Sequence, residues 1–345
     1  MRVEVITTAA ALERLRPDWI GLWQRAVTAG PFQHPDWLLS WWRRLGGGEL
    51  FVLAVRHGAE LAALAPFYIT TDAASGERQL TLLGNGVSDC CDVLLDPRRS
   101  GAKAALAEAL KASRACWTGY DLRDLPPDSV LLSIFDDQPD ASISRDTPTV
   151  VVDLRGGVEG SLLSPRMAAD LRRCRRRAEE IGVLSMDFAS SEELIARAMD
   201  ALFALHHARW RARDESGVLH GPEREAFYRE IAARFARHGW LRLLTLSLGG
   251  RVVGASFDFQ VRGRAYHYIG GFAPELATLG LGSLMLQQLI LRAVHDGAHE
   301  FDFLRGEEDY KRRWGGVPRP HYRIRPKQVA EAARMMMEAA HAGVA

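Results

Sequence analysis

Cysteine is scarce in this chain, charge imbalance is almost absent, and no apolar run approaches the length of a bilayer. The only cysteines are Cys90, Cys91, Cys116 and Cys174. Adjacent Cys90 and Cys91 do not readily pair, and no Cys-x-x-Cys or Cys/His metal spacing occurs. That excludes a disulfide scaffold and a zinc module and leaves reduced thiols. None has an activating base nearby, so none reads as a nucleophile. Lys and Arg number 44 against 43 Asp and Glu, a net charge of +1, which removes any global pull toward nucleic acid or membrane. With no spanning segment and no signal-peptide pattern in Met1–Ile6, no membrane insertion and a cytoplasmic location are expected. What remains is a globular composition, 47% hydrophobic and 25% charged over 345 residues, long enough for two domains.

Glycine, by contrast, punctuates the most informative region, residues 241–316. Three strand-like runs, Leu241–Leu248, Arg251–Gln260 and Arg264–Gly270, are separated by Gly249-Gly250 and Arg262-Gly263, and Gly-Gly is a tight-hairpin signal. The loop Gly280-Leu281-Gly282 opens a helix over 282–296, in which Met285, Leu286, Leu289, Ile290, Ala293 and Val294 recur at helical spacing. A strand at Glu300–Leu304 follows. A helix crossing between them makes strands 264–270 and 300–304 parallel, and a ligand site is expected where strand order and direction change. The helix start, with Gly280, Gly282 and Ser283, offers unpaired N–H groups to a phosphate; the plainer reading is that the glycines only make the turn. Asp302 interrupts an apolar strand, either as a catalytic carboxylate or as a tie for the next loop. Beyond it Tyr310 can donate a proton, Lys311 can neutralise an anion and Trp314 can wall a site. Alternatively the stretch is a short amphipathic helix with Tyr310 and Trp314 packed inward and its charges solvated.

The first half has a similar rhythm. Expected elements are a strand at Met1–Thr7, a helix at Ala9–Ala29, a Trp-rich helix opened by His34-Pro35-Asp36, a hairpin around His57-Gly58, a strand at Gln79–Leu83, a helix at Ala102–Ser113 and a strand at Thr118–Leu122. Tyr120-Asp121-Leu122-Arg123 echoes Phe301-Asp302-Phe303-Leu304-Arg305, which suggests duplication of one βαβ-containing unit. Pro97–Gly101 replaces the glycine loop before the first unit's helix, so that unit is expected to be degenerate. Polar Asp136–Pro148 reads as the linker. Thr149–Leu154 reads as a strand, Ser164-Pro165 as a capped helix start, and Glu192–Arg213, Glu223–His238 and Ala330–Ala340 as helices. The expected division is 1–145, 146–326 and a helical tail, 327–345.

Together these residues carry a family resemblance. The C-terminal half resembles the GNAT superfamily of N-acetyltransferases. The whole chain resembles the CelD/BcsL-like acetyltransferases associated with cellulose and exopolysaccharide biosynthesis. The matching pieces are Pro31-Phe32-Gln33-His34-Pro35-Asp36-Trp37 with Trp41-Trp42, the arginine-rich helix before Gly182, His206-x-x-x-Trp210, Gly270-Gly271-Phe272 and the stretch from Glu300 to Gly315. Such proteins are similar to the Fem-type aminoacyltransferases, which also pair two GNAT-like halves. The resemblance implies an α/β fold of tandem GNAT-like units: mixed, mainly antiparallel twisted sheets, a parallel βαβ crossover and helices on both faces. It implies an acyltransferase that moves an acyl group, acetyl foremost, from acyl-CoA to an amine or hydroxyl, with no metal. The acceptor is a small molecule, saccharide or polysaccharide precursor in the cleft between halves. The thioester would lie between the two parallel strands, its carbonyl polarised by a backbone N–H around Ile269, Gly270 and Gly271. The pyrophosphate would sit on Gly280, Gly282 and Ser283, with Lys311 as an anion partner. Tyr310 would protonate the leaving thiolate, and Asp302, His267 and Asp258, in that order, are candidate bases. The family loop is Arg/Gln-x-x-Gly-x-Gly/Ala, and Ala277 stands at its first position. That keeps open an acyl carrier protein or an aminoacyl-tRNA as donor, and a non-catalytic binding module in a polysaccharide assembly system.

Arg166, Arg172, Arg173, Arg175, Arg176 and Arg177 crowd one helix. They read either as an anion site for donor phosphate, tRNA or acidic glycan, or as a solvated helix back partly neutralised by Glu179 and Glu180. No RNA-binding aromatic motif accompanies them. His206, His207 and Trp210 lack further metal ligands at suitable spacing and read as packed or acceptor-contacting side chains. Asn85, Ser88, Asp89 and Asp92 follow a strand of the degenerate half, and His34-Pro35-Asp36 is read as a helix N-terminus.

Overall fold

The computed structural model describes residues 1–156, 164–211, 217 and 219–327. The helix expected over Ala330–Ala340 lies outside them. The chain forms two compact units, one of Met1–Thr147 with the chain from Pro320, the other of Pro148–Arg319. No described helix is long and apolar enough to cross a membrane.

The first unit comprises β1 (Arg2–Ile6), α1 (Ala9–Arg14), α2 (Arg16–Arg25), α3 (Pro35–Leu45), β2 (Glu49–His57), β3 (Glu60–Thr71), β4 (Arg78–Leu82), β5 (Leu94–Leu95), α4 (Ala102–Ala112), β6 (Gly119–Tyr120), β7 (Leu122–Leu125) and α5 (Val130–Asp136). Its main sheet runs β1-β2-β3-β4-β6 with β5 on β3, and only β4 and β6 are parallel. β2 and β3 are buried along nearly their whole length, so both read as continuous apolar runs. They share one core with Leu106 and Leu110 of α4 and with Trp117, Tyr120, Leu131 and Phe135. His34 caps α3, its Nδ1 accepting from the Asp36 N–H at 3.2 Å, as read from the sequence.

The second unit holds the end of β8 (Ala141–Asp153), then α6 (Pro165–Glu179), β9 (Leu184–Phe188), α7 (Glu192–Arg211), α8 (Pro222–Arg237), β10 (Leu241–Leu248), β11 (Arg251–Val261), β12 (Arg264–Phe272), α9 (Leu281–His295), β13 (Glu300–Arg305) and α10 (Asp309–Arg313). Its strand order is β8-β13-β12-β11-β10-β9. Ser164 caps α6 by accepting from the Met167 N–H at 3.2 Å. Gly249 and Gly250 both have positive φ, +58° and +80°, which the hairpin turn between β10 and β11 requires. One sheet face sets Phe257, Phe259, Tyr266 and Tyr268 against Tyr228 and Phe235 of α8. Ring centroids there lie 5.3 Å apart for Phe235 and Phe259 and 5.4 Å for Phe259 and Tyr266. The opposite face receives α9, where Met285 Sδ lies 2.6 Å from the position a Cβ on Gly254 would take.

Three expectations change. Asp136–Pro148 is not a linker, because Ala141–Asp153 forms β8 and the two units divide within it. Pro148 fits there because only its carbonyl is used, accepting from the Gly306 N–H at 3.0 Å. The strand expected at Thr118–Leu122 breaks at Asp121 into β6 and β7. The final strand, β14 (Val317–Pro326), expected within 146–326, counts with the first unit from Pro320. Tyr322 and Ile324 pair with Leu125 and Leu122, and Arg323 grips Asp121 at 2.5 and 2.6 Å.

Phe259→Ala is expected to lower the stability of the second unit by about 3–5 kcal/mol, measured as a fall in the urea midpoint at unchanged slope, because the fully buried ring touches four aromatic neighbours.

Candidate functional site

The parallel pairing of β12 with β13 lasts only three residue pairs, Arg264–Glu300, Ala265–Phe301 and Tyr266–Asp302. Past them the strands part. β12 also carries a bulge: Phe257 pairs with Ile269 and Asp258 with His267, which leaves Tyr268 as the extra residue. The Ala273 N–H is spent on Val253 O of β11 at 2.8 Å. Strand alternation therefore turns the N–H groups of Ile269 and Gly271 toward β11 and those of Gly270 and Phe272 toward the opening. Of the three residues expected to polarise a carbonyl, Gly270 is the one so aimed. A Cβ on Gly271 would lie 3.3 Å from the His206 backbone N, so glycine lets α7 sit directly on β12.

The loop into α9 meets the same opening. Gly280 has φ +72°, and a Cβ there would lie 2.6 Å from Cys174 Sγ, so a side chain is excluded twice over. A Cβ on Gly282 would lie 3.4 Å from the ring of Phe272, which puts the first turn of α9 beside the last residue of β12. Ser283 spends its N–H on Gly280 O at 3.0 Å, whereas first-turn groups such as those of Leu281 and Gly282 have no partner within the helix. From α6, Arg177 donates to Thr278 O at 2.6 Å. Arg173 pairs with Asp170 and Arg175 with Glu179, and all six arginines of α6 are exposed.

On the α9 face of the sheet, His267 Nδ1 lies 2.6 Å from Asp258 Oδ1. The imidazole is flanked by Phe301 and Phe303, and Phe303 meets Tyr310 edge-on with centroids 6.0 Å apart. Burial, helped by the charges of Glu308 and Asp258, pushes the Tyr310 hydroxyl up to about 12, against the opposing pull of Arg209. Tyr310 therefore keeps its proton at neutral pH. Arg209, near the end of α7, also lies over the Phe272 ring at 5.8 Å.

Two expected site residues serve the scaffold instead. Lys311 is 2% exposed and donates to the carbonyls of Leu304, Arg305 and Gly306 at 3.2, 2.7 and 3.0 Å, with Glu308 at 2.9 Å. Its ammonium is committed to loop carbonyls and to Glu308, so it is neither a solvated charge nor placed to receive a donor phosphate. Asp302, first among the candidate bases, accepts from the Leu304 N–H at 2.8 Å and ties down a residue held at φ +59°. It sits on the face opposite Phe301 and Phe303, away from His267. The tie for the next loop is the reading that the geometry matches. His206 is a packed histidine: its Nε2 accepts from Trp210 Nε1 at 2.8 Å, and burial, with the charges of His207 and Arg209, pushes it down to about 4.

The first unit repeats the parallel pair but fills its opening. β4 and β6 pair only at Gln79–Gly119 and Leu80–Tyr120. The chain leaving β4 turns at Gly84, where Ser88 N bonds Gly84 O at 2.9 Å, and then bonds across from Cys91 N to Asp124 O at 2.9 Å. Ser88 Oγ is taken by Trp37 Nε1 at 2.9 Å, and Asp92, pushed up to about 7 by burial, accepts from Ser129 Oγ at 2.6 Å. These groups are internal ties.

Residues 165–312 match the family model described as an acetyltransferase (GNAT) domain. No curated protein matches the chain. Among solved structures, the C-terminal domain of a putative lysylphosphatidylglycerol synthetase from Agrobacterium fabrum is similar over 96% of this chain and 96% of its own, at 14% identity and a TM-score of 0.61. FemX is similar over 93% of this chain and 97% of its own, at 10% identity and a TM-score of 0.62. A tandem GNAT protein from the clavulanic acid biosynthesis pathway is similar over 94% of this chain and 98% of its own, at 15% identity and a TM-score of 0.50. The fold is that of tandem GNAT-like proteins, and the second unit carries a GNAT acyltransferase-like domain.

Lys311→Met is expected to lower stability by about 1–3 kcal/mol through the carbonyls left unpaired. Thermal denaturation should show the loss; an unchanged melting temperature would contradict the scaffold role.

Proposed function

We propose that the second unit is an acyltransferase that takes an acyl group, acetyl foremost, from acyl-CoA and passes it to an amine or hydroxyl of a small molecule or saccharide. The observation that carries this is the opening between β12 and β13, with the Gly270 N–H facing it and the α9 N-terminus beside it. A thioester laid in the opening would have its carbonyl oxygen polarised by Gly270 as charge develops. Its phosphates would meet the first-turn N–H groups after Gly280 and the positive end of α9. Tyr310, protonated and within the field of Arg209, would give its proton to the departing thiolate. His267 would take the proton of the acceptor. A place among the CelD/BcsL-like enzymes of cytoplasmic polysaccharide biosynthesis rests on the sequence pieces that resemble them, Gly270-Gly271-Phe272 and the stretch from Glu300 to Gly315 above all.

A second reading is favoured by Ala277, which removes the side chain the family loop usually offers a phosphate, and by the exposed arginines of α6 next to Thr278. In that reading the donor is a larger anion, a charged tRNA or an acyl carrier protein, and α6 supplies the cations.

Acetyl-CoA titrated calorimetrically into the protein is expected to bind in the micromolar range, and Gly282→Trp, which crowds the start of α9 against Phe272, should abolish binding. Absence of binding to folded wild type would discard the CoA donor in favour of the larger anions or of a non-catalytic module. Tyr310→Phe should lower kcat about 10²-fold or more at little cost in KM. An unchanged kcat would remove Tyr310 from the acid role.

A further inference from the structure

We propose that the acceptor group is a hydroxyl, and that Asp258 is the positioning residue that lets His267 deprotonate it; this rests on the acyl-transfer reading above. The His267 and Asp258 side chains are 15% and 5% exposed, and Nδ1 faces Oδ1 at 2.6 Å. A carboxylate only accepts, so Nδ1 carries a proton, and in the neutral ring Nε2 is the nitrogen with the lone pair. Phe301 stacks on it at 6.3 Å and 24°, and Phe303 stands edge-on at 6.2 Å and 88°. Its Cε1 lies 3.7 Å from the position a Cβ on Gly270 would take, so the ring's free edge neighbours the residue whose N–H faces the opening. The second oxygen of Asp258 is buried with no hydrogen-bond partner among the described residues, and its first oxygen is turned to the imidazole.

The chemistry of the two acceptor types differs. A neutral amine attacks a thioester with its own lone pair and sheds its proton after the C–N bond forms. A hydroxyl must lose its proton as the C–O bond forms, which charges the imidazole in the transition state. A carboxylate behind the ring stabilises that charge. In the proposed step the hydroxyl oxygen bonds to the acyl carbon and its proton moves to Nε2. The C–S bond then breaks and the thiolate takes the Tyr310 proton, which solvent restores as the imidazolium releases its own. The products are an ester and a free thiol.

Wild type, Asp258→Asn and His267→Gln are first titrated with acetyl-CoA, then assayed for acetyl transfer to water, the simplest hydroxyl, and to hydroxylamine, an unprotonated amine at neutral pH. Both variants should retain acetyl-CoA binding and lose about 10²–10⁴-fold of transfer to water, and a far smaller part of transfer to hydroxylamine, whose amine attacks with its own lone pair. Equal losses for both nucleophiles, or none for either, would overturn the proposal. If wild type does not bind acetyl-CoA, the donor assignment fails instead. Nitrogen NMR of the imidazole then decides: His267 protonated at Nδ1 in wild type and released in Asp258→Asn supports the pair, and a ring state unmoved by the substitution overturns it.

Discussion

Two parallel strands that part after three residue pairs leave backbone donors and acceptors that no ladder serves. Such groups persist only where something else takes them up. On the β13 side the second unit supplies the replacements itself. Asp302 takes the Leu304 N–H, Pro148 takes the Gly306 N–H, and Lys311 collects the carbonyls of Leu304, Arg305 and Gly306. Leu304 at φ +59° and Gly306 at φ +103° bend the chain away from β12, and these contacts hold the bend. On the β12 side the Tyr268 bulge changes the phase of the strand, and the N–H of Gly270 is left facing the opening. A buried lysine and a buried aspartate thus hold the bend that borders the opening.

The first unit shows what happens when the same topology is closed. Its parallel pair is shorter, and the chain after β4 crosses the gap to reach Asp124 O. Polar residues that look like a second site from the sequence, Ser88 and Asp92, are spent on Trp37 and Ser129. In the first unit the gap beside the parallel pair is thus bridged by the unit's own backbone, Cys91 N to Asp124 O.

The charges in the second unit are divided by sheet face. Asp258, His267 and the Phe301–Phe303 wall share the α9 face, whereas Asp302 shares the other with Tyr266. Tyr310 joins the first group through Phe303 and feels Glu308, Arg209 and Asp258. An acid and a base candidate are therefore gathered on one side of one opening, with opposite demands on their protons.

Much of this was legible in the residues themselves. Gly249-Gly250 fixed a hairpin because both positions need positive φ, Ser164-Pro165 fixed a helix start, and the periodicity of 285–294 fixed α9. The crossover helix by itself requires β12 and β13 to be parallel, as they are. Composition failed at Asp136–Pro148, because a strand is decided by the partners available to its backbone, and it offered no sign of the short, half-polar β9. The roles of Asp302, Lys311 and Asp258 were out of reach for a related reason. Residue type says that a carboxylate or an ammonium must find a partner, but which face it points to and which atoms come within 3 Å depend on a one-residue bulge and on where two strands part. The sequence by itself determined the elements, their order and the residue types able to do acyl-transfer chemistry, since these follow from local backbone preference and side-chain periodicity. Only the tertiary structure decided which of those residues meet, since register and burial are set by contacts between segments far apart in the chain.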